Sequence, residues 1–253
     1  MKKNYGFTLV EMSIVLVIIA IIALFIIGGS YLVTQYQLRA IINEQNYYKT
    51  AINGFLYQYG QLPGDFNAAS TIWPNCYTTP ANCNGNNNGV IYLDNTMQYT
   101  DESLRAWQHL YLAGYIEQKL SGYHNTANQN NVGINVPASK FSGAGWYIDS
   151  VFAGESTSVT NINTLIIGGN VSGSFNNALF LTPLQAQNID QKIDDGKPFT
   201  GKVRGIFNDG VALNYTTTPV GTTCALSSML GYNTGSAYIN RKICSIAFRI
   251  GFN

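Results

Sequence analysis

Charged side chains are scarce in this chain of 253 residues, where Asp, Glu, Lys and Arg together make up only 11%. The 14 Lys and Arg residues barely exceed the 13 Asp and Glu residues, so the formal net charge is +1. Proteins that bind nucleic acid by neutralising phosphates carry a clear basic excess. The charge balance therefore predicts that nucleic acid is not a partner.

Groups suited to metal or acid–base chemistry are also few. The chain has two His and four Cys, and no Cys-x-x-Cys spacing occurs. It also lacks a Gly-x-Ser-x-Gly elbow, a phosphate loop and a His-rich metal motif. These absences predict a protein that is not an enzyme and that has no catalytic cofactor.

What the chain has instead is an uncharged polar surface and enough apolar residues for a core. It contains 28 Asn, 25 Gly and 17 Tyr, a composition common on secreted and cell-surface proteins. The hydrophobic fraction is 46%. At this length such a fraction supports one large domain or two small ones, and it excludes disorder as the overall state.

The longest apolar run lies near the N-terminus, where fourteen consecutive apolar residues extend from Ile14 to Ile27. The wider stretch 7–29 would reach about 35 Å as a helix, against a hydrocarbon core of about 30 Å. Lys2 and Lys3 precede it, which predicts a cytoplasmic N-terminus and export of the chain beyond Arg39. A membrane span over 7–29 is therefore expected.

Two other interpretations of this run stay open, a secretory signal peptide and a plain transmembrane anchor. The small-x-small cleavage site of a signal peptide is missing, although Gly28-Gly29-Ser30 is a poor match. In addition, Glu11 stands at the head of the run. A carboxylate near a bilayer centre costs about 2.5–3.5 kcal/mol on insertion scales, so an acid here needs a partner.

The residues at the head of the run resemble a known signature. The segment Gly6-Phe7-Thr8-Leu9-Val10-Glu11, followed by the apolar residues 12–18, joins a Gly-Phe junction, a Glu five positions after the Gly, and an apolar helix. This pattern resembles the N-terminal signature of type IV prepilins and type II secretion pseudopilins. The resemblance implies cleavage between Gly6 and Phe7 by a prepilin peptidase, followed by N-methylation of the new Phe7 amine.

The resemblance also implies an architecture, a location and partners. The expected fold class is α+β, with a long N-terminal transmembrane-to-periplasmic α-helix packed on a C-terminal antiparallel β-sheet domain. The expected location is the inner membrane, single-pass, with the globular domain in the periplasm and outside the cell once in a fibre. The implied partners are other pilin or pseudopilin subunits, the prepilin peptidase, and an inner-membrane assembly platform. The expected organisation is a leader over 1–6, an assembly helix over 7–29, an outer amphipathic half over 30–60, and a globular domain over 61–253.

Glu11 acquires a hypothetical role within this resemblance. In a fibre of staggered helices, the carboxylate of one subunit could approach the Phe7 ammonium of a neighbour. Each charge is costly alone in an apolar environment, and pairing relieves much of that cost. The hydroxyls of Thr8 and Ser13 are interpreted instead as local bonds to the helix backbone.

Beyond the apolar run, the hydrophobic residues follow a helical stripe. The pattern predicts one helix from Phe7 to Tyr59, whose outer part packs against the globular domain of the same chain. Gly60 supplies a stop signal, and Gly28, Gly29 and Gly54 are expected weak points. The stripe comprises Leu38, Ile41, Gln45, Tyr48, Ile52, Phe55 and Tyr59, with Gln45 as its one polar member.

The four cysteines lie in the part of the chain that is expected to be exported, where disulfides are permitted. Members of the pilin family often carry a cysteine pair that brackets a C-terminal loop, and Cys224 and Cys244 match that placement. Four cysteines allow three connectivities. Nearest-neighbour pairing, Cys76 with Cys83 and Cys224 with Cys244, is the one we expect.

An Asn-rich loop gives a possible cation site. Asn84, Asn86 and Asn88 alternate like the acids of an EF-hand-type loop, and Asp94 or Asp65 could add charge. Neutral amides predict at most a weak Ca²⁺ site. The alternative is a plain Asn/Gly turn.

Further elements are predicted along the globular part. A helix over Glu102–Lys119 is expected, with Thr100 or Asp101 as its cap. His109 and His124 are expected to be surface or hydrogen-bonded groups rather than catalysts. The other expected elements are a helix from the capping box at Thr182 to before Gly196 with solvated Asp194 and Asp195, strands at Trp146–Ile148, Thr164–Ile167 and Ser245–Phe252, and a hairpin of 202–208 with 211–215.

The favoured function is that of a structural subunit, a minor pilin or pseudopilin, in a type IV pilus or in the pseudopilus of protein secretion. The alternative is a membrane-tethered monomeric domain for cell adhesion or binding, with an adhesive loop at 125–136 or between Cys224 and Cys244. The main pseudopilin of the family binds calcium near its C-terminus, and the sequence has no evident matching acidic cluster. The N-terminal signature is common to both kinds of fibre.

Overall fold

The computed structural model describes residues 6–93, 101–124, 129–150, 162–206, 224–226 and 231–251. The chain divides into two compact units, residues 1–39 and residues 40–253. Each unit is described separately below. The second unit contains all elements except the first part of the N-terminal helix.

The first element is a helix, α1, of 51 residues from Leu9 to Tyr59. It begins two residues later than predicted and ends where predicted. Gly60 follows with a φ of +71°, the left-handed conformation that commonly ends helices. At Gly54, a predicted weak point, the helix continues because the missing side chain admits the ring of Tyr115, whose hydroxyl donates to the Gly54 carbonyl at 2.8 Å.

Three further helices and one 3₁₀ turn, Pro80–Cys83, lie in the second unit: α2 over Ala69–Ile72, α3 over Glu102–Leu112 and α4 over Pro183–Ile193. The prediction of α3 was right at its start and wrong at its end, because Gly114 with φ +77° stops the helix well before Lys119. The side chain of Asp101 caps it, whereas Thr100 lies outside the described residues.

The sheet has four antiparallel strands in the order β1-β2-β4-β3. Two predicted strands fall inside β1 and β2, and the third predicted strand contains β4, which ends before Phe252, a residue outside the described part. The bounds are Ala144–Ser150 for β1, Asn163–Gly169 for β2, Val203–Ile206 for β3 and Ser245–Arg249 for β4.

Strand β3 pairs with β4 in the register Val203↔Phe248. The sequence instead predicted that this segment forms a hairpin with residues 211–215. That predicted partner lies outside the described residues, so the hairpin stays a prediction. The described pairing is long-range, between segments about forty residues apart, and no local turn signal could have indicated it.

The core of the second unit joins the end of α1 to the sheet. The ring of Tyr48 lies 5.0 Å from that of Trp107 in α3 and 5.7 Å from that of Trp146 in β1. Trp146 in turn lies 5.8 Å from Phe248 in β4. The predicted stripe is buried from Leu38 to Phe55, Gln45 included. The predicted α+β architecture, a long helix followed by an antiparallel sheet, is thus confirmed.

Both expected disulfides are present, Cys76–Cys83 and Cys224–Cys244. The second joins strand-proximal segments, since Cys244 also exchanges backbone hydrogen bonds of 3.0 Å with Leu181. Each bridge therefore lies where the backbone is already held by other contacts.

Candidate assembly surface

The first part of α1 presents a continuous apolar surface. Every side chain from Phe7 to Phe25 is exposed, with Phe7 at 84% and Leu9 at 91% of full exposure. Soluble monomers rarely expose contiguous apolar patches larger than a few hundred Å², and such patches mark interaction with proteins or membranes. This surface therefore needs an apolar partner or an apolar solvent.

Thr8 and Glu11 close the head of this helix with a capping box. The backbone N–H and the hydroxyl of Thr8 donate to Oε2 of Glu11 at 2.7 Å and 2.8 Å. In return, the backbone N–H of Glu11 donates to the Thr8 hydroxyl at 3.2 Å. The Thr-x-x-Glu spacing is the sequence signal of this motif, and the interpretation of Thr8 as a backbone-bonding group missed it.

The box fixes one face of the Glu11 carboxylate and leaves the other for a further donor. Within the described part of the chain, Thr8 is the sole hydrogen-bond partner of this side chain, and both of its bonds go to Oε2. An ionised carboxylate accepts about four hydrogen bonds. Oε1 thus has the capacity to accept an additional charged donor.

Ser13 behaves as predicted. Its hydroxyl donates to the carbonyl of Val10 at 2.8 Å, one turn earlier in the helix. This local bond satisfies the hydroxyl without a partner from elsewhere.

The family model for the prokaryotic N-terminal methylation motif matches residues 1–27. The chain carries a type IV prepilin/pseudopilin signature. Both Gly6 and Phe7, the residues of the predicted cleavage junction, lie inside the match, as does Glu11. This prepilin motif indicates a membrane-anchored N-terminus and a structural protein, and it implies prepilin peptidase processing and assembly with other pilin subunits.

The match covers 27 of the 253 residues. No curated protein and no solved structure matches this prepilin-type chain. Over the residues that the structure describes, none of the helices meets the combined length and apolarity expected of a membrane span. The span predicted over 7–29 stays a prediction.

The Asn-rich loop turns its side-chain oxygens toward its own backbone. Oδ1 of Asn84 accepts the N–H of Ser70 at 2.8 Å. Oδ1 of Asn86 and of Asn88 accept backbone N–H groups two residues further on, at 3.0 Å and 2.9 Å. The fourth predicted ligand, Asp94, lies outside the described residues.

Two carboxylates hold the same loop from outside. Asp65 accepts the N–H groups of Asn88 and Gly89 at 3.0 Å and 2.8 Å. Glu102 accepts those of Asn86 and Tyr92 at 3.3 Å and 3.4 Å. Burial, followed by the nearby charge of Asp65, raises the pKa of Glu102 to about 7. Sequence analysis did not connect Glu102 with this loop, and calcium binding here stays a prediction.

A cluster of three acids forms after α4. Side-chain oxygens of Asp190, Asp194 and Asp195 lie within 4.8 Å of one another. The expectation that Asp194 is simply solvated was wrong, because it accepts the N–H groups of Lys202 and Val203. Asp195 accepts the N–H of Lys197 at 2.9 Å. These acids therefore fold the segment that leads into β3.

Asp190 is the buried member of that cluster. It accepts the hydroxyl of Tyr232 at 2.8 Å and the N–H of Gly196 at 3.2 Å. Burial raises its pKa to about 7 despite these hydrogen bonds. Its position explains how the end of α4 is tied to a distant loop.

Both histidines are buried hydrogen-bonded groups, so the surface alternative was wrong. The N–H of Gly64 donates to Nδ1 of His109 at 2.9 Å, and Nε2 lies 2.9 Å from the carbonyl of Cys83. Burial lowers the pKa of His109 to about 3, so the ring is neutral. Nε2 of His124 lies 3.1 Å from Oδ2 of Asp101, and this contact ties a loop to the cap of α3.

Proposed function

We propose that this protein is a structural subunit, a minor pilin or pseudopilin, that assembles through its N-terminal helix into a type IV pilus or a type II secretion pseudopilus. Cleavage between Gly6 and Phe7 and methylation of the Phe7 amine precede assembly. The observation that carries the proposal is the exposed apolar surface of Phe7–Phe25 inside a prepilin-type signature.

Before assembly, the bilayer is the apolar solvent of this surface. The proposed location is the inner membrane, with residues 7–29 spanning it and the globular part in the periplasm. In the fibre, neighbouring copies replace the lipid. The proposed partners are therefore other pilin or pseudopilin subunits, the prepilin peptidase and an inner-membrane assembly platform.

The proposed register depends on a charge pair between subunits. Cleavage turns the Phe7 nitrogen from a peptide amide into an amine, which is cationic at neutral pH. Pairing with Glu11 of a neighbour offsets the desolvation of both charges. The capping box supports this role, because the Thr8 groups that orient Glu11 survive cleavage.

The box also permits a clean test. Glu11→Gln keeps the capping geometry, because Gln serves in a capping box as Glu does, but it removes the charge. Thr8→Val removes the hydroxyl and keeps the charge. We expect Glu11→Gln to be processed normally yet to yield no sheared fibres, and Thr8→Val to assemble. Fibres from Glu11→Gln at the wild-type level would contradict the proposed pair.

Processing is tested at the junction itself. In Gly6→Leu we expect the leader to be retained, so that intact mass analysis finds the full chain in the membrane. For the wild type we expect a mature chain that starts at methylated Phe7. A mature N-terminus at any other residue would overturn the proposal.

Crosslinking in membranes separates the proposed subunit from a tethered monomeric adhesive or binding domain. A subunit that assembles is expected to give a ladder of crosslinked multimers. A single band in wild type, under conditions in which a known oligomer crosslinks, would favour the monomeric alternative.

A further inference from the structure

A cavity of about 750 Å³ lies in the second unit, at one end of the sheet. Its walls come from the last turns of α1, the turn that follows, the Asn-rich loop, and the adjoining ends of β2, β3 and β4. The volume falls within the range of about 300–1,000 Å³ that is usual for small-molecule sites.

The cavity wall concentrates positive charge. Lys49, Lys202 and Arg249 line it, against a single acid, Asp65. Both oxygens of that acid accept backbone N–H groups, from Asn88 and Gly89. A chain with almost equal numbers of acids and bases thus places three cations and one occupied carboxylate around one cavity.

Two of these cations are directly opposite each other. The N–H of Arg249 donates to the carbonyl of Lys202 at 2.8 Å, which extends the register of β3 and β4 by one pair. Like charges opposite each other in an antiparallel pair are destabilising. Neither Lys49 nor Lys202 forms an ion pair with any residue that the structure describes. A bound anion would relieve this repulsion.

The rest of the wall is suited to an organic carrier of the charge. Leu56 and Leu62 add apolar surface, and Gln61 and Asn87 add amide groups. Sites of this kind hold a ligand by its apolar faces and orient it by a few polar groups.

We propose that this cavity binds a small multiply charged anion, whose carboxylate or phosphate groups contact Lys49, Lys202 and Arg249 and whose carrier contacts the apolar wall. Sugar acids and phosphorylated metabolites have this chemistry. The site lies entirely within residues 40–253 and does not depend on cleavage or assembly. A subunit that assembles without binding anions, or the reverse, therefore separates this proposal from the proposed function.

The test is calorimetric titration of the full chain in a neutral detergent, with three probes: digalacturonate, inorganic pyrophosphate and the neutral disaccharide maltose. We expect saturable binding of at least one anion, weakened by added salt, and none of maltose. Digalacturonate alone would identify a carboxylate ligand, and pyrophosphate alone a phosphate ligand.

Single charge removals assign the site. We expect Lys49→Gln and Lys202→Gln each to weaken binding by about tenfold, the size of losing one hydrogen bond to a charged group. Lys119→Gln, an exposed lysine away from the cavity, is the matched control and is expected to bind as the wild type does. Binding of neither anion at millimolar concentration, or equal effects of all three substitutions, would overturn the proposal.

Discussion

Glu44 in α1 accepts the indole N–H of Trp146 in β1 at 2.8 Å. The same carboxylate accepts the hydroxyl of Ser139 at 2.6 Å and the backbone N–H of Lys140 at 2.7 Å. Trp146 is fully buried, so its N–H has no access to water. One carboxylate thus anchors the end of the long helix to the sheet and to the segment before it.

Removing this anchor is expected to destabilise the fold. Glu44→Ala leaves the indole N–H of Trp146 buried without an acceptor, which costs about 1–3 kcal/mol. Urea unfolding of the full chain in neutral detergent measures the loss. The exposed Glu117→Ala is the control and is expected to stay within about 0.5 kcal/mol of wild type. Equal stability of the two variants would show that Glu44 carries no such role.

The two disulfides are expected to contribute unequally. Cys224 and Cys244 are 20 positions apart and Cys76 and Cys83 are 7 apart. In the chain-entropy model these loops give about 3.3 and about 2.5 kcal/mol. We expect the paired Ser substitutions at 224 and 244 to lower the free energy of unfolding more than those at 76 and 83. The reverse order would show that contacts outweigh loop entropy.

Stability is expected to fall with rising pH through Asp149. Burial raises the pKa of this carboxyl to about 7, although it accepts the N–H groups of Leu93 and Ser150. In the unfolded chain an Asp titrates near about 4, so the folded state alone holds the proton between these values. The contribution is complete below about pH 4 and is lost as the pH rises to about 7.

Asp149→Asn mimics the protonated form at every pH. We therefore expect the variant to lose less stability than the wild type between about pH 5 and about pH 8 in urea unfolding. Glu117→Gln should follow the wild type. If Asp149→Asn also follows the wild type, the carboxyl does not titrate in this range.

Calcium binding at the Asn-rich loop is expected to be too weak to detect. The amide oxygens of Asn86 and Asn88 are neutral and already accept backbone N–H groups. Calorimetric titration with Ca²⁺ should give the same heat for wild type and for the double variant Asn86→Ala, Asn88→Ala. A saturable heat that the double variant loses would establish a site in this loop, whatever the acids after α4 contribute.

Local signals in the sequence predicted the elements that depend on neighbouring residues. The stripe from Leu38 to Phe55 and the capping box at Thr182 were both right, because helices and caps are built from residues three or four positions apart. The end of α3 was misjudged, since apolar spacing continues past the glycine that stops the helix. The second capping box, at Thr8, was readable and was missed.

The sequence by itself determined the prepilin signature, the long helix with its apolar stripe, and the pairing of cysteines, all of which rest on spacing along the chain. Only the tertiary structure decided which groups meet from afar. Glu44 and Trp146 are 102 positions apart, and the cations of the cavity come from α1, β4 and the segment before β3. Such contacts follow from how the helix and sheet pack, and no local pattern encodes that packing.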